Sequence, residues 1–242
     1  MTAPKPRLIT IPISHYCERA RWALDHFEVP YVEDRHLQVF HRRATGKVGA
    51  KSVPVLVNDC DEVLTDSADI VRWAASRAND DGFVVDDPLA APIEGAFGVE
   101  SRRLAYAWII PLRSVLLRYN NRGSPWWQGA LLRVGYGQAM KRVARHVDTS
   151  PRRLASARDS VDETFERVAD RLSDGRPYLT GDRFTALDLT FAALGAPLVL
   201  PENYGIPLPG PDELPAGPRT EVERLRTHRA GRHILAMYAA HR

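Results

Sequence analysis

The sequence predicts an α/β domain built on a mixed sheet, followed by an all-helical domain that fills the rest of the 242 residues. Three observations predict it. Short apolar runs alternate with amphipathic helical patterns over residues 1–80. A proline, Pro54, stands inside one of those runs, Val53-Pro54-Val55-Leu56-Val57. Beyond residue 92 the period-two alternation disappears and apolar residues recur only at helical spacing.

Taken in order, Leu8-Ile9-Thr10-Ile11 reads as a buried strand, and Cys17, Ala20, Leu24 and Phe27 then line one helical face. Val29-Pro30-Tyr31 ends that helix, because the residue before a proline avoids helical geometry, and Tyr31-Val32 opens a second strand. The stretch from Asp34 to Ser52 is polar and basic with Gly46 and Gly49, so it is a loop carrying an irregular helix. Val53–Val57 is a third strand, Asn58-Asp59-Cys60-Asp61 a turn, and Val63-Leu64 the returning arm of a hairpin. Ser67 opens a helix with Ile70, Val71, Ala74 and Ala75 on one face. Strand, helix, strand, helix, hairpin, helix is the order of a thioredoxin-like domain with helices on both faces of the sheet. Proline cannot donate to a sheet ladder, and a cis Val53-Pro54 bond resolves that conflict.

Breakers and acidic residues from Asn79-Asp80-Asp81-Gly82 to Asp86-Asp87-Pro88 mark residues 81–91 as a linker, dividing a first domain, 1–80, from a second, 92–242. Amphipathic helical stretches follow at 90–121, 126–147, 151–173, 185–199 and 219–240. One helix start is sharply written: in Phe184-Thr185-Ala186-Leu187-Asp188-Leu189, Thr185 and Asp188 form a capping box and Phe184 packs on Leu189 as a hydrophobic staple. The Pro- and Gly-rich segment from Pro197 to Pro218 reads as an irregular surface connection. Tyr106, Trp108, Ile110, Trp126 and Trp127 supply aromatic and apolar surface, either for the helical core or for an apolar pocket.

Charge and cysteine content narrow the function. Thirty-three Lys and Arg stand against 30 Asp and Glu, a net charge of +3, and the two signs are interspersed. No basic stripe with interleaved aromatics points to nucleic acid. No run of about 18 uncharged apolar residues suggests a membrane span, and the first residues lead straight into a strand, so a soluble cytoplasmic protein is expected. Two cysteines, Cys17 and Cys60, argue against a disulfide scaffold and a four-thiolate zinc site, and no metal is expected. The preference for Arg over Lys fits a GC-rich bacterial genome.

The most informative stretch is Ser14-His15-Tyr16-Cys17-Glu18-Arg19-Ala20-Arg21, where the first strand passes into the first helix. Free N–H groups at a helix start favour negative charge, so a polar side chain at Ser14 faces a place where a thiolate is stabilised. Small-molecule thiol chemistry is the leading expectation. Cys17, in the first helical turn, is either a second thiol with a depressed pKa or a small core residue heading the series Ala20, Leu24, Phe27. Arg19 and Arg21 diverge by about 200° around the helix and read as structural, tying it to the second domain or to solvent.

Four segments together resemble the cytosolic glutathione S-transferase family of serine type, over nearly the whole chain: the Ser14–Arg21 stretch, Val53-Pro54-Val55-Leu56, Leu64-Thr65-Asp66-Ser67 with Ile70, and Gly181-Asp182-Arg183-Phe184 running into Thr185–Asp188. The resemblance implies that the first domain binds glutathione as co-substrate while the helical domain shapes a pocket for a hydrophobic electrophile. It assigns Ser14 the hydroxyl that donates to sulfur, with Tyr16 and Cys17 as rivals. Val53 pairs its backbone with the cysteinyl unit along an edge left open by Pro54, a form of strand addition. Asp66 and Ser67 hold the γ-glutamyl end, and Lys51 the glycyl carboxylate, in competition with His41, Arg42 and Arg43. It also implies a homodimer. Two other readings stay open: a thiol-disulfide oxidoreductase using Cys17, and a non-catalytic binding module on the same fold. A different low-molecular-weight thiol is an alternative to glutathione.

Overall fold

The computed structural model describes residues 4–242. Strand β1 (Arg7–Thr10) pairs in parallel with β2 (Val32–Arg35) and antiparallel with β3 (Val55–Val57), and β4 (Val63–Leu64) closes the other edge, giving the order β2-β1-β3-β4. Successive residues of a strand point to opposite faces, and here both faces are covered. Leu8 and Leu56 join the core formed with helices α1 (His15–His26) and α3 (Ser67–Arg77), whereas Ile9 and Val55 pack with Ala44 on the short helix α2 (His41–Gly46). That is why the strands read as continuous apolar runs. The Val53-Pro54 bond is cis, and β3 begins only at Val55.

The second domain starts with α4 (Ala90–Pro92), which runs through one π turn (Ile93–Phe97) into α5 (Gly98–Ile109). Helices α6 (Arg113–Asn120), α7 (Trp126–Val147), α8 (Pro151–Arg171), α9 (Ala186–Val199), α10 (Ala216–Thr227) and α11 (Arg229–His241) follow. Helix α9 is apolar around nearly its whole circumference, which suits only a buried axis, and it packs against α1, α5 and α11. The fold is therefore a thioredoxin-like domain with a mixed sheet joined to an all-helical domain. None of the helices is long and apolar enough to cross a membrane among the described residues.

Three sequence expectations need correction. The stretch 90–121 is not one helix, because Pro111 lacks the N–H that the next turn needs and Leu112 leaves helical geometry at ψ 68°. The stretch 219–240 breaks at His228, which caps α11 by accepting the Ala230 N–H at 3.3 Å. Gly231 makes that corner possible, since a Cβ there would stand 1.8 Å from the Leu225 carbonyl oxygen. The segment from Pro197 to Pro218 is not a passive connection. Pro197 lies inside α9, and after a turn at Pro211–Glu213 the Glu213 carboxylate accepts hydrogen bonds from Tyr119 and, at 3.0 Å, Arg118 of α6.

Arg19 and Arg21 are both buried, and neither reaches solvent. Arg19 pairs with Glu94 of the second domain, while Arg21 stays in the first, bound to Glu18 at 3.0 Å, Glu33 at 2.9 Å and the Pro12 carbonyl at 2.8 Å. Helix α1 is thus the strut between the two domains. Its Trp22 Nε1 donates to the His241 carbonyl at 2.9 Å, and Arg242 donates to Glu18 at 2.9 Å.

Candidate functional site

Ser14 caps helix α1. Its backbone is extended, at φ −74° and ψ 122°; its N–H donates to the Ile11 carbonyl at 3.1 Å, and its own carbonyl accepts from Glu18 at 2.9 Å. Its side-chain Oγ accepts the Cys17 N–H at 3.4 Å. A hydroxyl has one proton and two lone pairs, so an oxygen that accepts that bond can still donate.

Ser14 lines a cleft of about 430 Å³ between the domains. Its first-domain wall includes Ser14, Tyr16, His41, Arg42, Lys51 and Val53. The facing wall comes from α5, through Arg102, Ala105, Tyr106 and Ile109, and from α7, through Arg142, Val143 and His146. A smaller, almost wholly apolar pocket of about 70 Å³ shares Ile13, Ala105, Ile109 and Pro197 with the cleft and is closed by Trp108, Leu208 and Leu214. The Pro-rich segment therefore shapes the cavity. Of the aromatic candidates, Tyr106 faces the cleft and Trp108 the small pocket; Ile110 packs in a core cluster, and Trp126 and Trp127 are exposed on α7, away from both.

Tyr16 sits with its hydroxyl against Gly98, where a Cβ would stand only 2.8 Å away, and with the Arg102 guanidinium 5.9 Å from its ring centre. Burial holds its phenol above the ordinary range against the opposing pull of Arg102, so it remains a protonated donor. His41 is pushed down to about 4 by burial and by the charges of Arg42, His36 and His146, and is neutral at pH 7.

Cys17 is a different matter. Three residues after Ser14, its side chain turns back to the sheet, is fully buried and accepts the Ile11 N–H at 3.4 Å. Burial pushes its thiol up to about 11, against the lowering effect of Arg21. It does not line the cleft. Of the two readings of Cys17, its burial and raised thiol support the small core residue and count against a reactive thiol beside Ser14 and against the oxidoreductase reading.

Val53 lines the cleft next to the end of the β1–β3 ladder, whose last pair is Ile9 with Val55. Pro54 is buried beneath and is not on the wall. Asp66 and Ser67 stand at the start of α3, also off the cleft wall; Asp66 is exposed and caps the helix by accepting the Ala68 N–H at 2.8 Å, and Ser67 is buried. The structure thus brings Ser14, Tyr16, Lys51 and Val53 into one cavity and leaves Pro54, Asp66 and Ser67 outside its lining. Sequence reasoning missed Arg102, Arg142 and His146. Their only signal was a cation inside an otherwise apolar stripe, as in Arg102, Ala105, Tyr106 and Ile109 at spacings of three, four and seven. No cluster of three or more His, Cys, Asp or Glu side chains is placed to hold a metal among the described residues.

Residues 8–82 match the glutathione S-transferase N-terminal domain, and residues 135–219 match the glutathione S-transferase C-terminal domain. No curated protein matches the chain by sequence. Among solved structures, a glutathione S-transferase of Ceriporiopsis subvermispora in complex with glutathione superposes with a TM-score of 0.59 at 17% identity over 98% of each chain. A glutathione transferase of Phanerochaete chrysosporium gives 0.56 at 14% identity over 100% of this chain and 98% of its own. At such identities the likeness is one of fold. The two domain matches, in the same order and together spanning well over half of the sequence, place this chain in the glutathione S-transferase family.

Proposed function

We propose that this protein joins glutathione, through its thiolate, to an electrophilic carbon, with Ser14 as the catalytic residue that holds the thiolate. The observation that carries this reading is the position of the Ser14 hydroxyl, on the cleft wall at the start of α1, where its oxygen accepts the Cys17 N–H. A free thiol with a pKa of about 8.5 is mostly protonated at neutral pH, so a donor aimed at sulfur, together with the helix start, favours the anion. The thiol proton leaves to solvent. A sulfur lone pair then forms the carbon–sulfur bond. At a halogenated carbon the bonding pair departs with halide; at an activated alkene the electron pair moves to the neighbouring carbon, which takes a proton from water.

The family resemblance assigns the remaining residues to a tripeptide; Lys51 and Val53 line the cleft, and Asp66 and Ser67 lie outside its lining at the start of α3. Val53 offers backbone beside the end of a sheet ladder, to which the cysteinyl unit adds as a short strand. Ser67 at a helix start suits the γ-glutamyl carboxylate and Asp66 the ammonium group, and Lys51 suits the glycyl carboxylate. The Ceriporiopsis enzyme's bound glutathione supports the same ligand here.

Titration of glutathione into the protein by calorimetry gives a measurable heat at millimolar ligand, and its absence overturns the reading. Ser14→Ala lowers kcat at least about ten-fold while the glutathione Kd changes little, as expected for a donor that acts on developing charge. A parallel melting curve separates this from the loss of a helix cap, which costs about 1 kcal/mol. An unaltered kcat removes Ser14 from the mechanism.

A further inference from the structure

Resting on the reading of the cleft as a glutathione-transfer site, we propose that its second substrate is an amphiphilic anion: an electrophile with an apolar body and a carboxylate, or a similarly charged oxyanion, held by Arg102 of α5 and Arg142 of α7. The body lies over Ala105, Ile109 and Val143 between the two helices.

The charge inventory of the cavity leads there. Arg42, Lys51, Arg102 and Arg142 line it, and no Asp or Glu does. Low-dielectric walls of one charge sign concentrate ligands of the opposite sign. Glutathione brings two carboxylates and one ammonium group. Its γ-glutamyl end goes to the start of α3, and its glycyl carboxylate to Lys51 on the first-domain wall. The two guanidinium groups on the helical wall are then left for something else.

Arg102 is the more telling of the pair. Its Nε is buried and has no hydrogen-bond partner among the described residues. Neither Arg102 nor Arg142 takes part in an ion pair among them, whereas Arg103, the next residue, is fully engaged by Glu100 and by the Val147 and Asp148 carbonyls. An arginine that serves the fold has partners on this helix; Arg102 has only the face of Tyr16. An unpaired buried donor is costly, and a carboxylate answers a guanidinium with two parallel hydrogen bonds. Tyr16 also ties this arginine to the α1 start, so an anion docked on Arg102 is anchored on the wall that faces Ser14.

The test compares two aryl chlorides of similar shape, neutral chlorodinitrobenzene and its ring-carboxylated analogue chlorodinitrobenzoate, in the full-length protein. Wild type binds unreactive dinitrobenzoate at least about ten-fold more tightly than dinitrobenzene by calorimetry, a readout that does not depend on turnover. Arg102→Gln and Arg142→Gln each lower kcat/KM for the carboxylated chloride about ten-fold relative to their effect on the neutral one, mainly through KM, and Arg102→Lys recovers part of the loss. Equal losses on both substrates, or an equal weakening of glutathione, assign the arginines to the fold or to the tripeptide and overturn the proposal. Equal binding of the two unreactive probes by wild type overturns it as well. Glutathione binding without anion preference sinks this inference alone. Anion preference without glutathione binding sinks the transferase reading and leaves the anion site standing.

Discussion

His15 links the two walls of the cleft at the scale of one side chain. Its Nε2 donates to the Gly98 carbonyl at 2.9 Å, joining the start of α1 to the start of α5, and the ring is 3% exposed. Burial, with a contribution from Arg102, pushes it down to about 3, so it stays neutral in the folded protein. In the unfolded chain an imidazole protonates near pH 6.5. Between those values the unfolded chain binds the extra proton, and stability is lost as the pH falls, at about 1.4 kcal/mol per pH unit. His15→Gln keeps an N–H donor for Gly98 and removes one proton's share of that slope, read from urea midpoints between pH 6.5 and 5; an unchanged slope refutes the assignment. Ser14 was legible from the local pattern of strand and helix start, and Lys51 and Val53 from the family resemblance. His15 and Arg102 were not, since their partners lie more than eighty residues away, where spacing carries no signal.

At the scale of the element, α9 shows both what a local motif tells and what it omits. The capping box was readable: the Thr185 N–H donates to the Asp188 carboxylate at 3.2 Å. The same buried carboxylate also accepts the Leu179 N–H at 2.8 Å and lies 3.0 Å from His233 Nε2, contacts that no window of residues around the helix start reveals. Thr185→Ala accordingly costs about 1 kcal/mol, as for other caps. Asp188→Ala costs about 3 kcal/mol or more, because it strands a buried amide and a buried imidazole together. Urea denaturation with both variants decides the matter, and equal costs would show that Asp188 acts only as a cap. The breaks at Pro111 and His228 escaped the sequence reading for a related reason: the apolar face resumes after each, so periodicity alone does not register the corner.

At the scale of the molecule, the order of the two domains was legible from the change in hydrophobic period, but the seam between them was not. That seam is α1, whose buried charges belong to both halves. Glu18 receives Arg21 at 3.0 Å, Arg242 at 2.9 Å and the Gly205 N–H at 2.9 Å, and Arg242 reaches Asp25 as well. With one hydrophobic core running from Leu8, Leu24 and Leu56 to Phe97, Phe165 and Leu194, the domains unfold together. Fluorescence of a variant that keeps Trp22 as its single tryptophan, the other four replaced by phenylalanine, reports the seam, and far-ultraviolet dichroism reports mostly the helical domain; the two therefore give one urea midpoint. Arg242→Ala removes one of two guanidinium partners from a carboxylate with no exposure and lowers the stability by about 2 kcal/mol, somewhat less than the loss of a fully buried pair. The shift is the same by both probes, since neither half keeps its packing on α1 alone. Two separate midpoints in the protein that keeps Arg242, or a shift seen by one probe only, would show that the domains are independent. The spacing across the cleft between Ser14 and Arg102 would then be set by something other than this shared helix.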